Sequence, residues 1–204
     1  VATMRGNRKA LFKDHQVRGF VGFLVLTWLV FGTWLWANSE HSWMDAFRIV
    51  ALNVTSVVTT TGVALGDYTL WGSFSVLLFF YLTFVGGCSG STAGGLKIFR
   101  FQVAYVLLKA NLQQLIHPRA VIRQQYNGHH HDEDIVRSLI TFSFFFTITI
   151  GLIALGLALI GLDWVTALTG AATAVCNVGP GLGPIIGPVG NFSTLPDAAK
   201  WLLT

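Results

Sequence analysis

The sequence predicts an all-α integral membrane protein. It is built from two tandem units, each a spanning helix, a short re-entrant helix, an irregular glycine-bearing loop and a second helix. Three observations predict this. The 204 residues are 53% hydrophobic and only 11% charged, against about 25% charged in a soluble domain. The charges are segregated, leaving uncharged runs of 21 residues after Arg18, 29 after Asp67, 25 after Arg137 and 33 after Asp163. A pattern of short helix and glycine segment recurs at an offset of 117 residues, which carries Val58 onto Val175, Gly62 onto Gly179, Leu65 onto Leu182 and Gly66 onto Gly183. This composition argues against a soluble enzyme.

The first spanning helix covers residues 20–37, with Trp34, Trp36 and Trp43 forming an aromatic belt at its outer end. Residues 45–57 carry Asp45 and Arg48. A helix of that length reaches only about 20 Å at 1.5 Å per residue, short of the roughly 30 Å of a hydrocarbon core. Thr59 to Val63 follows without helical periodicity. Trp71 to Val85 is again apolar and helical, and runs into Gly86–Gly95, where five glycines in ten residues disfavour helix at about 1 kcal/mol each. A helix resumes at Leu96, becomes basic and amphipathic, and ends near Ile116. Residues 117–134 form a polar loop, and Arg137 to Leu162 is the next span. Asp163 to Val175 repeats the short helix, ends in Cys176–Gly183, and passes through a Pro/Gly-rich coil to a new helix at Pro196. The chain starts at Val1 rather than Met and stops soon after Pro196, so a fragment of a longer protein is expected.

Of 13 Lys and Arg, eleven fall within 1–18 and 97–137. Cytoplasmic segments carry such an excess, so both stretches should be cytoplasmic. Net charge +4 thus reflects orientation in a membrane and not a nucleic-acid surface. Cys88 and Cys176 both lie in apolar surroundings, and no disulfide is expected.

Irregular backbone inside a membrane is tolerated where protein buries it or where it lines a wet cavity. A short helix ending inside the membrane brings partial negative charge there, and glycine allows successive carbonyls to turn to one side. Together these suit a dehydrated cation, with carbonyl oxygens replacing its water. Asp45, Asp67, Asp163 and Asp197 fall on the outer side, where they would concentrate cations.

The sequence resembles the Trk/Ktr/HKT superfamily of potassium transporters, specifically the C-terminal part of TrkH/TrkG-type bacterial uptake subunits. The resemblance rests on Asn53-Val-Thr-Ser-Val-Val-Thr-Thr-Thr-Gly62, Asp67-Tyr-Thr-Leu-Trp71, Phe84-Val-Gly-Gly-Cys-Ser-Gly-Ser-Thr-Ala-Gly-Gly95, His117-Pro118, Asn177-Val-Gly-Pro-Gly-Leu-Gly183 and Asp197-Ala-Ala-Lys-Trp201. It implies a fold of tandem helix–pore loop–helix repeats like that of K⁺ channels. Residues 1–116 would be the third repeat, 117–135 a cytoplasmic linker and 136–204 a fourth repeat truncated in its last helix. Thr60, Thr61, Gly62 and Val63 would form one K⁺ filter segment, and Asn177, Val178, Gly179 and Pro180 another. An intramembrane gating loop would comprise Gly86, Gly87, Cys88, Ser89, Gly90, Ser91, Thr92, Ala93, Gly94 and Gly95. The resemblance further implies no enzymatic activity, K⁺ as the transported ion, a homodimer in the bacterial inner membrane, and a cytosolic TrkA-like nucleotide-binding ring. A family arginine expected in the remainder of the last helix would fall beyond Thr204 and is not mapped onto this sequence.

The alternative function is a Na⁺- or H⁺-coupled secondary cation transporter built on broken helices. Gly86, Gly90 and Gly94 would also suit a small-residue helix face, and Gly90–Gly95 begins a phosphate-loop pattern that fails where Leu96 stands in place of its lysine. His129–His131 with Asp132, Glu133 and Asp134 lack metal-site spacing and read as a solvated loop. Lys97 and Arg100 read as positive-inside anchors, with electrostatic restraint of cations at the gate as the alternative. For the apolar stripe Phe101, Tyr105, Leu108, Leu112 and Leu115, internal packing and docking of a cytosolic partner both fit.

Overall fold

The computed structural model describes residues 14–117, the backbone of 125–126, 129–130 and 133–135, and residues 136–204. Helix α1 (His15–Asn38) is capped by the Asp14 carboxylate, which accepts from the Gln16 amide at 2.8 Å. Its 24 residues extend about 36 Å, enough to cross a bilayer. After a bend, α2 (Trp43–Val58) begins on Ser42, whose hydroxyl accepts from the Asp45 amide at 3.3 Å and bonds its carboxylate at 2.7 Å. That cap, with both bonds made by the Ser42 hydroxyl, explains why the helix starts two residues before the expected Asp45.

A 3₁₀ turn (Tyr68–Trp71) precedes α3 (Ser73–Phe84). The sequence predicts one continuous helix from Trp71. Gly72, at φ +111°, breaks it, and Ser75 Oγ donates to the Tyr68 carbonyl at 2.7 Å to fix the corner. Strands β1 (Val85–Gly86) and β2 (Leu96–Lys97) pair in parallel and close the glycine loop between them. Helix α4 (Ile98–Ile116) therefore starts two residues later than expected. Strands β3 (Gln125–Tyr126) and β4 (His129–His130) form a small antiparallel pair in the polar connection. The rest of that connection, including His131, Asp132 and the side chains of the His/acid cluster, lies outside the described residues.

The second unit comprises α5 (Glu133–Leu159), α6 (Trp164–Cys176), a 3₁₀ turn (Phe192–Thr194) and α7 (Asp197–Leu203). Asp163, the expected first residue of this helix, instead caps it by accepting from the Thr166 amide at 3.1 Å, so α6 begins one residue later, at Trp164. Among the described residues, two helical segments, His15–Asn38 and Val136–Leu159, are long and apolar enough to cross a membrane, with mean hydropathies of 1.8 and 2.2.

Each short helix is packed into its own unit. α2 buries Ala46, Val50, Val54, Val57 and Val58 against Phe31 and Leu35 of α1 and Phe79 of α3. Tyr68 stacks on Phe79 with ring centres 3.9 Å apart. Gly32 lets α1 approach α2 closely, since a Cβ there would come 2.9 Å from the Phe47 ring. α6 instead packs small residues, Ala167, Ala171 and Ala172, against Ile150 and Leu157 of α5. Small residues at such contacts let helices approach closely, and packing more than water exclusion holds helices together in lipid. The outer faces of α1 and α5 stay open and apolar, with Leu26, Leu152 and Leu155 more than 60% exposed.

Candidate functional site

Helices α2 and α6 end in the same way, 117 residues apart. The Thr60 amide donates to the Val57 carbonyl (3.1 Å) and the Thr61 amide to Ser56 (2.8 Å). In α6 the Asn177 amide donates to Ala174 (3.1 Å) and the Val178 amide to Thr173 (3.0 Å). Both pairs form the double bond of a Schellman terminus, which requires a left-handed residue in its middle. Thr60 and Asn177 are that residue, each at φ 54°, and are the non-glycine positions with positive φ among the described residues. Asparagine tolerates this conformation readily. A β-branched threonine does not, and strain of about 1–3 kcal/mol is held at Thr60.

Gly62 (φ +75°) and Gly179 (φ +110°) follow two residues later in each segment. A Cβ on Gly62 would lie 2.5 Å from the Val178 carbonyl oxygen, and one on Gly179 would lie 3.7 Å from the Gly62 Cα. The two segments thus meet backbone to backbone at their glycines. Pro180 packs beside them, its Cδ 3.6 Å from the Cβ position of Gly62. Val178 is buried and Val63 is exposed. Thr61 reaches back to Thr59, with hydroxyls 2.8 Å apart. The hydroxyl of Thr173, absent from the sequence-level site, accepts from the Gly179 amide at 3.0 Å. The repeat offset could have suggested it, because Ser56 is its counterpart.

The glycine loop between β1 and β2 is not helical. It turns at Cys88–Ser91, where the Ser91 amide donates to Cys88 at 2.9 Å, and again at Gly95 (φ +68°). Its far end lies against both glycine segments. The Gly94 amide donates to Thr60 Oγ1 at 3.3 Å. A Cβ on Gly94 would collide with the Cys176 carbonyl oxygen and come 3.3 Å from the Asn177 Cβ. Thr60 and Asn177, the two matching left-handed residues, are therefore bridged by one loop residue. At its near end, the Ser89 amide donates to Gln16 Oε1 of α1 at 3.1 Å.

Lys97 turns its ammonium into this loop. It donates to the Ser91 carbonyl at 3.0 Å and to the Ala93 carbonyl. Arg100 lies over the Phe142 ring, 3.8 Å from its centre, and ties α4 to α5. Both charges thus have partners inside the protein, which the anchor reading did not include. Phe101, Tyr105, Leu108, Leu112 and Leu115 remain exposed. No cluster of His, Cys, Asp and Glu with metal-binding geometry occurs among the described residues.

The family model for TrkH, a cation transport protein, matches residues 7–204. The chain belongs to the TrkH family. It is a family of cation transporters and not of enzymes. The Trk system potassium uptake protein TrkI of Halomonas elongata is 54% identical over 200 residues, covering 98% of this chain and 40% of that protein. TrkH of Vibrio parahaemolyticus is 32% identical over 196 residues, covering 96% of this chain and 40% of that protein. The crystal structure of that Vibrio potassium transporter superposes with a TM-score of 0.88 at 31% identity, covering 99% of this chain and 43% of the other. The chain spans about two fifths of the length of the TrkH relatives it matches. Its helical architecture is that of a TrkH-type membrane transporter.

Proposed function

We propose that this chain supplies two of the filter segments and the intramembrane gate of a potassium uptake protein. The observation that carries the reading is the contact of Gly62 with Gly179 at matching positions of two repeated Schellman-terminated segments. Thr60, Thr61, Gly62 and Val63 line one side of the ion path, and Asn177, Val178, Gly179 and Pro180 another. Their carbonyls replace the water of a bare K⁺, and the C-terminal ends of α2 and α6 add partial negative charge. Two segments make an incomplete ring, so conduction belongs to the full-length protein.

Gly86 to Gly95 serves as the gate. Gly94 touches both segments below their left-handed residues, where a loop obstructs the path, and Lys97 holds the loop's shape. Residues 1–116 and 136–204 are two successive repeats joined by a linker at 117–135. The protein sits in the bacterial inner membrane, with 1–18 and 97–137 cytoplasmic. A homodimer and a TrkA-like regulatory ring are the partners that go with this reading.

The test is growth at low K⁺ of a potassium-requiring strain that depends on the full-length protein carrying Gly179→Asp. A carboxylate and a Cβ at φ +110° both disrupt the carbonyl lining, and growth should fail while the protein still reaches the membrane. Undiminished growth contradicts the pore reading. Uptake that survives but requires a Na⁺ or H⁺ gradient contradicts it in favour of a coupled transporter.

A further inference from the structure

We infer that Asn53 and Thr169 are positioning residues for the two glycine segments, each tying the outer end of its segment back onto its own short helix. The inference rests on the pore reading and adds what holds the carbonyls in place. Three residues beyond each glycine stands a leucine, Leu65 or Leu182. The Leu65 amide donates to Asn53 Oδ1 at 2.8 Å, and Asn53 Nδ2 donates to the Leu65 carbonyl at 3.1 Å. The Leu182 amide donates to Thr169 Oγ1 at 3.1 Å, and that hydroxyl faces the Leu182 carbonyl at 3.2 Å. Each side chain therefore takes both main-chain polar groups of one leucine. Asn53 is fully buried and Thr169 is 7% exposed. A buried polar side chain is costly unless its bonds are made, so both sites are built around these bonds.

The two clamps are not aligned residues. The 117-residue offset carries Asn53 onto Gly170, not onto Thr169. At 170 a Cβ would lie 3.2 Å from Ile186 Cδ1, so any side chain there has to displace that methyl. The preceding residue supplies the bonds instead, with a different functional group. What recurs is the pair of bonds to the leucine main chain, reached by two chemistries. With the Schellman bonds at the inner end, each glycine segment is held at both ends, and the carbonyls between have little freedom to adapt to a smaller ion.

The clamps differ in strength. Asn53 has a separate donor and acceptor, whereas the single Thr169 proton is shared with the Val165 carbonyl at 2.7 Å. The segment beyond α6 has further ties, Gly179 to Thr173 at 3.0 Å and the Gly181 amide to the Ile186 carbonyl at 2.7 Å. Loss of Asn53 should therefore loosen its segment more than loss of Thr169 loosens the other.

The experiment measures K⁺ and Na⁺ flux through full-length protein reconstituted in liposomes, with membrane abundance measured alongside. Thr169→Val keeps the side-chain shape and removes the hydroxyl. It should raise the Na⁺:K⁺ flux ratio roughly threefold to tenfold at normal abundance, and Thr169→Ser should restore the original ratio. Asn53→Leu should raise it further. An unchanged ratio in Thr169→Val overturns the inference, as does a fall in abundance with the ratio preserved in both variants. Gly179→Ala is run in parallel. If it shifts the ratio while the clamp variants do not, only the clamps are overturned; if none shifts it, the pore reading fails as well.

Discussion

Gly62→Ala in the full-length protein is expected to lower the initial rate of K⁺ uptake by at least about tenfold. Two effects combine at this position. An L-residue at φ +75° costs roughly 1–2 kcal/mol. The added Cβ would also stand 2.5 Å from the Val178 carbonyl oxygen, a main-chain atom whose peptide is tied down by the Gly179 amide bond to Thr173 and that cannot swing aside as a flexible side chain can. Relief requires the two segments to separate, which moves the carbonyls that both present to the ion. Gly66→Ala separates the two effects. Gly66 has nearly the same φ, +76°, but nothing within 4 Å of its Cβ position. It should cost stability and leave much more of the uptake rate. Isotope uptake in vesicles checks both variants, and equal rates for the two would contradict the role given to the contact.

Gly94→Ala is expected to raise basal conductance of the full-length protein on the order of tenfold when its cytosolic regulator is inactive. The new methyl would collide with the Cys176 carbonyl and crowd Asn177. The loop must then withdraw from the two segments and lose its bond from Gly94 to Thr60. Gly90, in the same loop, has open space at its Cβ position, so Gly90→Ala should have a much smaller effect. Single-channel or liposome leak measurements read the difference. If Gly94→Ala lowers conductance, the loop does not obstruct the path from this position and the gating role fails.

Much of the architecture was legible because its causes are local. Hydropathy and charge spacing located the long spans. The density of glycine in 86–95 marked a helix break, and the structure has a loop there closed by two paired residues at each end. The 117-residue repeat marked Gly62 and Gly179, and it also pairs Thr60 with Asn177, whose shared left-handed conformation no composition argument picked out. What stayed hidden depends on contacts across space. The approach of Gly94 to Cys176 joins residues distant in sequence. The inward turn of Lys97 depends on loop carbonyls that a hydropathy reading does not count. Asn53 and Thr169 escaped notice because they do not align, so a repeat search discards them, while the backbone bonds they make are equivalent.

Crystals of the full-length protein soaked in Rb⁺ or Tl⁺ would test the central claim most directly, because both ions scatter anomalously and mimic K⁺. The account predicts anomalous density on an axis shared by Gly62 and Gly179, ringed by main-chain carbonyls of 60–63 and 177–180. Density confined to other parts of the protein, with those carbonyls turned away from any common axis, would contradict it.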